Sequence, residues 1–240
     1  MGSFKRNIRK NSTLVEIIIL LAGIILVLVG RQSSVVAGIG ASVIASAIVV
    51  FMTDVLLGKD ESENLSRWGL EAVYKTRGEM NSSSDVYLDK AKSVKIIAFG
   101  LKSWRDSQQK KIRKLLERGG TIQIITMKPE CNNLKAREAD ELQAEGSISH
   151  SIRQMIEWAK KENAKGRKGR IEIRQHEHLP LGFVFLMDNR LFTGPYEYGK
   201  ESQQTISFEY NNTGEAYLYY DSYFDSLWND SAFCSDALKE

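Results

Sequence analysis

The residues best suited to chemistry in this chain are His176 and His178, which stand two apart on either side of Glu177. Two histidines at this spacing on a strand share one face, so they have the geometry for a metal ion. No cysteine or third histidine lies nearby in the sequence, and His150 is remote. An ordinary polar loop is therefore the favoured interpretation, and the sequence predicts neither a metal nor any other cofactor.

Motifs of other catalytic chemistries do not occur in the sequence. There is no glycine-rich loop of the kind that cradles nucleotide phosphates, and Gly38 and Gly40 lie inside an apolar run. Ser103, Ser149 and Ser207 lack the sequence context of a nucleophilic serine. No catalytic residue is predicted from these motifs.

A ligand is expected where the predicted strands end, because ligands of open α/β sheets bind beyond the carboxyl ends of the parallel strands. That edge would gather residues 100–104, 127–129 and 176–178. The candidates are cationic, polar or aromatic side chains that could meet a phosphate or an acidic partner. They are Lys102, Ser103, Trp104, Lys128, Arg137 and His178.

The strongest charge feature is the segment 160–170, in which six of eleven residues are Lys or Arg. It could contact anionic lipid headgroups, contact nucleic acid or a nucleotide signal, or form a solvated helix end and loop. The net charge of the whole chain is only +3, so no global field argues for nucleic acid. No aromatic residues interleave with the basic ones, which disfavours single-strand binding.

The elements that would position these residues alternate between strand and helix. Strands are predicted within 91–101 and at 121–127, 170–175, 182–187, 189–193 and 205–210. Helices are predicted at 61–80, at 106–118, over 136–162 with a break near Gly146, and at 214–229. This order indicates an α/β domain with a mixed sheet.

Two apolar runs, 13–30 and 35–57, precede that domain and are separated only by residues 31–34. Each is about as long as a helix that crosses a bilayer core of roughly 30 Å, and the short link predicts an antiparallel hairpin. The predicted organisation has four parts. They are a basic cytoplasmic tail (1–12), a transmembrane helical hairpin (13–58), a linker helix (59–82) and the α/β domain (83–240).

The orientation follows from positive charge, since Lys and Arg stay on the cytoplasmic side. The tail carries Lys5, Arg6, Arg9 and Lys10, whereas the link carries only Arg31. A cleaved signal peptide is disfavoured because a second apolar run follows at once. The sequence predicts a multi-pass protein of the cell inner membrane with both termini cytoplasmic.

Small residues recur every fourth position on the second apolar run, at Gly38, Ser42 and Ser46. Such a face lets helices approach closely in lipid. It could pack against the first helix or support self-association, and a homo-oligomer is expected. Glu16 and Asp54 lie near the cytoplasmic ends of the two runs, where interfacial solvation is favoured over a role in a pore.

The runs KIIAFGLKSW, LLERGGTIQIITMKP and LGFVFLMDNRLFTGPY, in this order, resemble a phospholipase D-like domain over residues 84–230. Active members carry H-x-K-x-x-x-x-D, with a nucleophilic His and a phosphate-binding Lys. Anchoring that motif on Asp188 puts Leu181 at the His position and Phe183 at the Lys position. The resemblance therefore implies a degenerate member that keeps the fold and has lost the phosphodiesterase site.

Two functions remain open. One is a non-catalytic membrane effector or sensor, whose cytoplasmic domain detects a ligand or partner and whose helices assemble to disrupt the inner membrane. This architecture resembles effectors of bacterial antiviral abortive-infection systems, which implies a nucleotide signal, nucleic acid or protein partner of a defence operon beside the lipid bilayer. The alternative is a membrane-tethered phosphodiesterase or nuclease of the phospholipase D superfamily, against which the missing H-x-K argues.

Overall fold

The computed structural model of the protein describes residues 17–30, 34–180 and 182–239. The chain divides into two compact units, Met1–Leu65 and Ser66–Glu240. Several features of the sequence analysis lie outside the described residues: the basic tail, Glu16, residues 31–33 of the link, and Leu181 at the histidine position of the motif. The side chain of Asp54 is also outside the description.

The N-terminal unit contains two apolar helices, α1 (Ile17–Val29) and the first part of α2 (Ser34–Trp68). Within α2 the segment Val35–Met52 is long and apolar enough to span a membrane. Most of its side chains are exposed, which distinguishes it from the core helix of a soluble protein. Helix α1 is apolar but shorter, so the structure yields one candidate span near the N-terminus.

Helices α1 and α2 contact each other through glycines. A Cβ added to Gly40 would lie only 2.8 Å from the carbonyl oxygen of Gly23, and both glycines are buried. Gly38, by contrast, has open space around it, and Ser42 and Ser46 are exposed on the same helix beside Ile19 of α1. The close contact between these helices therefore uses a different set of small residues from the stripe singled out in the sequence.

The prediction of a single helix over 61–80 is wrong. Helix α2 ends at Trp68, and Gly69 follows with a φ of +73°, the left-handed conformation that commonly terminates helices. The next residues form strand β1 (Leu70–Tyr74), in which more and less exposed side chains alternate. A separate helix, α3, then begins at Arg77, so the second compact unit starts well before the predicted domain boundary at residue 83.

The second unit is built on one eight-stranded mixed sheet with the order β1-β7-β6-β5-β2-β3-β4-β8. Its further strands are β2 (Ser93–Ile97), β3 (Thr121–Met127), β4 (Arg170–His176), β5 (Gly182–Met187), β6 (Arg190–Pro195), β7 (Ser207–Asn211) and β8 (Ser235–Asp236). Strands β2, β3 and β4 are parallel, and the other pairings are antiparallel. The predicted mixed-sheet α/β domain is confirmed.

Helices cover both faces of this sheet. They are α3 (Arg77–Leu88), α4 (Lys102–Glu117), α5 (Asn133–Asp140), α6 (Ser147–Asn163) and α7 (Glu215–Asn229). Apolar residues of α3, α4 and α6 pack with Val94 and Ile96 on one face, while α7 packs with Ile97 and Ile125 on the other. The alternation of side chains along each buried strand supplies both cores, and the break predicted near Gly146 separates α5 from α6.

Candidate functional site

A cleft of about 460 Å³ opens at the carboxyl end of β2. The connection from β2 to α4, the start of α3, the start of α6 and the segment after β6 form its walls. Its polar lining includes Arg77, Asn81, Lys102, Ser103, Gln143, Ser147, His150, Ser151 and Gln154. The sheet edge expected to bind a ligand therefore does carry a concave site.

Arg77 is the most unusual residue of this cleft. It is the first residue of α3, where the helix dipole disfavours a positive charge, and only 6% of its surface is exposed. Its guanidinium lies over the rings of Phe183, at 4.1 Å, and Phe185, at 5.3 Å. Among the described residues its Nε has no hydrogen-bond partner and the side chain forms no ion pair. Burial lowers the pKa of Arg77, against the opposing influence of nearby Tyr196 and Glu141.

Tyr196, which follows β6, brings a hydroxyl to the same place. The hydroxyl oxygen is buried and has no hydrogen-bond partner of good geometry in the described part of the chain. Burial raises the pKa of Tyr196, and the charge of Arg77 opposes that shift. The ring is held by Phe99, with 4.9 Å between the ring centroids, and by the Arg137 guanidinium 5.0 Å from its centroid. The Arg77 and Tyr196 side chains thus lie beside each other in the cleft, and the Arg77 Nε and the Tyr196 hydroxyl oxygen have no hydrogen-bond partner of good geometry in the described residues.

Helix α4 opens into the cleft without a cap. Leu101 precedes it with a φ of +52° and has no side-chain oxygen to accept from the first-turn amides. The N–H groups of Lys102, Ser103 and Trp104 have no acceptor within the helix. Arg105 donates from Nε to the carbonyl oxygen of Gly100 at 3.2 Å, which fixes the connection that places this terminus.

Helix α6 also begins at the cleft, but its terminus is already occupied by a carboxylate of this chain. Glu138, only 1% exposed, accepts from the backbone N–H groups of Gly146 at 2.7 Å, Ile148 at 2.8 Å and Ser149 at 3.3 Å. These bonds satisfy first-turn donors and place negative charge at the positive end of the helix. This terminus is therefore not free for an external anion.

Arg137, a predicted ligand-binding residue, uses both of its Nη atoms inside the protein, while its buried Nε has no hydrogen-bond partner in the described residues. Its Nη2 donates to Glu141 at 2.5 Å and its Nη1 to the carbonyl oxygen of Glu197 at 3.3 Å. Glu141 accepts in addition from Ser202 at 2.8 Å and Gln143 at 2.7 Å. The buried pair supports the wall of the cleft, which Glu141 and Ser202 line.

The other predicted ligand-binding residues fall into two places. Lys102 and Ser103 are exposed at the cleft, while Trp104 lines it but packs into the core, edge-on to Phe185 with 6.0 Å between ring centroids. Lys128 and His178 lie instead in a second groove of about 470 Å³, where Lys128 pairs with Glu177 at 2.9 Å. The structure does not bring the six candidates together into one site.

His176 and His178 do not form a metal site with other residues: the described part of the chain contains no cluster of three or more His, Cys, Asp or Glu with suitable geometry. His176 is 3% exposed and stacks on Phe233 with 4.8 Å between ring centroids. Burial, reinforced by the charge of His178, lowers its pKa to about 4. Its Nδ1 accepts the backbone N–H of His178 at 3.1 Å, which only the neutral ring can do.

The residues of the degenerate motif occupy structural positions. Phe183 is fully buried beneath the Arg77 guanidinium, so the lysine position of the motif carries a ring that supports a cation from another element. Asp188, with a φ of +42°, accepts the backbone N–H groups of Lys92 at 2.9 Å and Ser93 at 2.8 Å. It therefore fixes the turn at the opposite end of β5 from the cleft.

Arg77 and Tyr196 are the two residues that the sequence analysis missed. The sequence did contain a signal that pointed to Arg77, because Thr76 and Glu79 form the pattern of a helix start. In the structure the Thr76 Oγ1 accepts the Glu79 N–H at 3.2 Å. That pattern predicts a helix beginning at Arg77 and so a basic residue at an unfavourable place. Nothing in the sequence relates Arg77 to Tyr196, because the pairing of β1 with β7 and β7 with β6 brings them together.

No protein-family model and no curated protein matches this chain. Solved structures that are similar to this chain include three at 13–14% identity. TrmBL2, an archaeal chromatin protein described with a novel mode of DNA binding, has a TM-score of 0.43 over 78% of this chain and 68% of its own. NucT from Helicobacter pylori has a TM-score of 0.43 over 69% of this chain and 97% of its own. Phosphatidylserine synthase from Haemophilus influenzae Rd KW20 has a TM-score of 0.48 over 66% of this chain and 36% of its own. Likeness at these scores carries no argument about function.

Proposed function

We propose that this protein is a membrane-anchored, non-catalytic sensor or effector whose α/β domain binds a ligand in the cleft at the end of β2. The observation that carries the proposal is the chemistry of this cleft. It has buried donors without acceptors, Arg77 and Tyr196, whereas the β5 position that would carry a catalytic lysine in a phospholipase D-like domain holds Phe183. Such a site is equipped to hold a ligand and lacks that part of the machinery to cleave it.

The proposed anchor is a two-helix transmembrane hairpin with both termini in the cytoplasm. The close contacts that support it join Gly23 to Ile44, Val27 to Gly40, and Gly30 to Ala37. The residue number therefore increases on one side of the contact while it decreases on the other. That is the pattern of antiparallel helices. The outward surface of both helices is apolar, with Ile18, Ile25 and Val49 more than half exposed, as expected of side chains that face lipid.

The proposed output is ligand-driven association of these helices, which disrupts the inner membrane as in antiviral abortive infection. Gly38, Ser42 and Ser46 would form the contact between copies, since the space beside Gly38 is open and Gly40 already serves the contact within the chain. Close approach at small residues is a common mode of helix association in lipid. The trigger would be a nucleotide signal, a nucleic acid or a protein partner of a defence operon.

Membrane depolarisation tests this function. A voltage-sensitive dye in cells that express the full chain should report depolarisation, and Gly38→Leu should abolish it because the added side chain fills the open space. Ile39→Leu, an exposed neighbour of similar bulk, is the matched control and should remain active. Full depolarisation by Gly38→Leu, or no depolarisation by the overexpressed wild type, would contradict the proposal.

A membrane-tethered phosphodiesterase or nuclease remains the alternative, because His150 lines the same cleft. Its Nε2 lies 2.9 Å from the side-chain amide nitrogen of Gln154. The purified full chain in detergent should leave bis-p-nitrophenyl phosphate and single-stranded DNA intact. Cleavage that is lost in His150→Ala but kept in His178→Ala, whose side chain lies in the second groove, would establish the enzyme instead.

A further inference from the structure

We propose that the cleft binds an oxyanion of the phosphate type, held by the Arg77 guanidinium, the Tyr196 hydroxyl and the first-turn amides of α4. This inference deepens the proposed binding function and rests on it. The oxyanion group could belong to a free ion, to a nucleotide or to a lipid headgroup, all of which present the same phosphate oxygens to the site.

The first argument is the unbalanced charge of Arg77. A buried charge is tolerated when it is paired, because the loss of hydration is otherwise uncompensated. The neighbouring Arg137 has Glu141 at 2.5 Å, whereas Arg77 has aromatic rings and the neutral Tyr196 hydroxyl beside it and forms no ion pair with a carboxylate in the described residues. Glu141 does not serve as that partner, since its oxygens accept from Arg137, Ser202 and Gln143. An external anion would complete the balance.

The second argument is the uncapped start of α4. The three amides of its first turn have no acceptor within the helix, Leu101 provides no side-chain acceptor, and all three residues line the cleft. Helix N-termini hold phosphate through these amides and the helix dipole. The carboxylate of Glu138 fills the same requirement at α6, so the chain satisfies one terminus internally and leaves the other open.

The third argument is the size and charge of the cavity. About 460 Å³ is within the range of small-molecule sites. Of the acidic residues in its lining, Glu141 is neutralised by Arg137, and Glu201 is exposed at the edge. Lys102 is exposed on the same wall and adds a positive charge for approach. The ligand therefore presents one phosphate group to the interior and keeps the remainder towards solvent.

Binding should be measured by isothermal titration calorimetry on the full chain in a non-ionic detergent at constant ionic strength. Three probes distinguish the source of the phosphate: inorganic phosphate, adenosine 5′-monophosphate and dihexanoyl phosphatidic acid. We expect at least one to bind, with chloride giving no signal. The probe with the lowest Kd identifies the class of molecule that carries the group.

Two variants locate the binding site. Arg77→Met should raise the Kd at least tenfold, and Tyr196→Phe, which removes one hydroxyl from an otherwise unchanged core, should raise it several-fold. Lys135→Met, on the surface of α5 and paired with Glu145, is the matched loss of one positive charge and should leave the Kd unchanged. If Arg77→Met does not fold, Tyr196→Phe alone decides.

Two results would overturn the oxyanion site. One is the absence of binding by all three probes, and the other is unchanged affinity in Tyr196→Phe and in any folded Arg77→Met. Neither would remove the sensor function, which another ligand could serve. Hydrolysis of a bound phosphate ester would contradict the non-catalytic function while leaving the binding site in place, so the two failures are distinguishable.

Discussion

Helices α4 and α6 begin at the same cleft, yet their N-termini are treated in opposite ways. The amides of α6 donate to Glu138, a buried carboxylate eight to eleven residues earlier in the chain. The amides of α4 follow Leu101, which has nothing to offer them. The difference teaches that, of the two helix starts that meet at the cleft, one is satisfied by an anion of this chain and the other is left open. Helices α5 and α7 also begin without a side-chain cap, so what distinguishes α4 is that its open start lies at the cleft beside Arg77.

Two of the three buried arginines in the described residues, Arg77 and Arg137, repeat the contrast, while the third, Arg105, donates to the backbone carbonyl oxygens of Gly100 and Gln154. Arg137 has its carboxylate, Glu141, four residues later on the adjoining turn, and both side chains are almost fully buried. Arg77 rests on Phe183 and Phe185, which provide a face attractive to cations but no negative charge. Arg137 therefore has its charge balanced within the chain, whereas the charge of Arg77 is not balanced by a carboxylate of the described residues.

The largest effect is expected from removing the internal anion. Glu138→Leu leaves three backbone N–H groups near α6 without an acceptor, so the free energy of unfolding should fall by about 5 kcal/mol. Urea unfolding of the full chain in detergent, followed by tryptophan fluorescence, measures it. Glu145→Leu replaces an exposed carboxylate of the same region and should change the value little. Equal losses in both variants would refute the comparison.

The second prediction concerns Arg137 and Arg77, at which the same substitution should change the free energy of unfolding in different directions. Arg137→Met strands Glu141 and should cost about 4 kcal/mol of unfolding free energy. Arg77→Met removes an unpaired buried charge from a helix N-terminus and should be neutral or stabilising by about 1 kcal/mol. Thermal and urea unfolding of the two variants measure this contrast. A large loss in Arg77→Met would show that Arg77 is a structural residue.

A pH effect on stability should arise from the buried ring of His176. The pKa of His176 is about 4 in the folded protein, below its ordinary value of 6.5. The unfolded chain therefore binds the extra proton first, so stability is complete above pH 6.5 and falls by about 3 kcal/mol as the pH decreases towards 4. His176→Phe should flatten this part of the profile, whereas His150→Gln, at an exposed site, should leave it as in the wild type. A flat wild-type profile between pH 6.5 and 4 would contradict the burial of this ring.

The smallest effect is expected at the ion pair of the second groove. Glu177 is exposed and pairs with Lys128, so Glu177→Gln should change the free energy of unfolding by less than about 0.5 kcal/mol. It should also leave phosphate affinity unchanged, because this groove is distinct from the cleft. Calorimetric titration and urea unfolding of the variant check both statements, and a weakened affinity would place the anion at Lys128 instead.

The sequence predicted most of the sheet because its inner strands are short apolar runs bounded by turn residues, as in TIQIITM and GFVFLM. It also placed residues 100–104 at the ligand-binding edge, as the strand-end rule requires, but it began the helix at 106, whereas α4 begins at Lys102. It failed at residues 61–80, where the apolar spacing of the end of α2, β1 and α3 merges into one helical pattern that only Gly69 interrupts. The interior of the cleft could not be predicted, since Arg77 and Tyr196 meet through strand pairings distant in sequence.

The most direct test of the account is the position of a heavy oxyanion in crystals of the full-length protein soaked in tungstate. Anomalous diffraction should reveal one tungstate beside the Arg77 guanidinium, within hydrogen-bond distance of the amides of Ser103 and Trp104, and none in crystals of Arg77→Met. Tungstate bound only at Lys128 and His178, or equally in the variant crystals, would contradict the account.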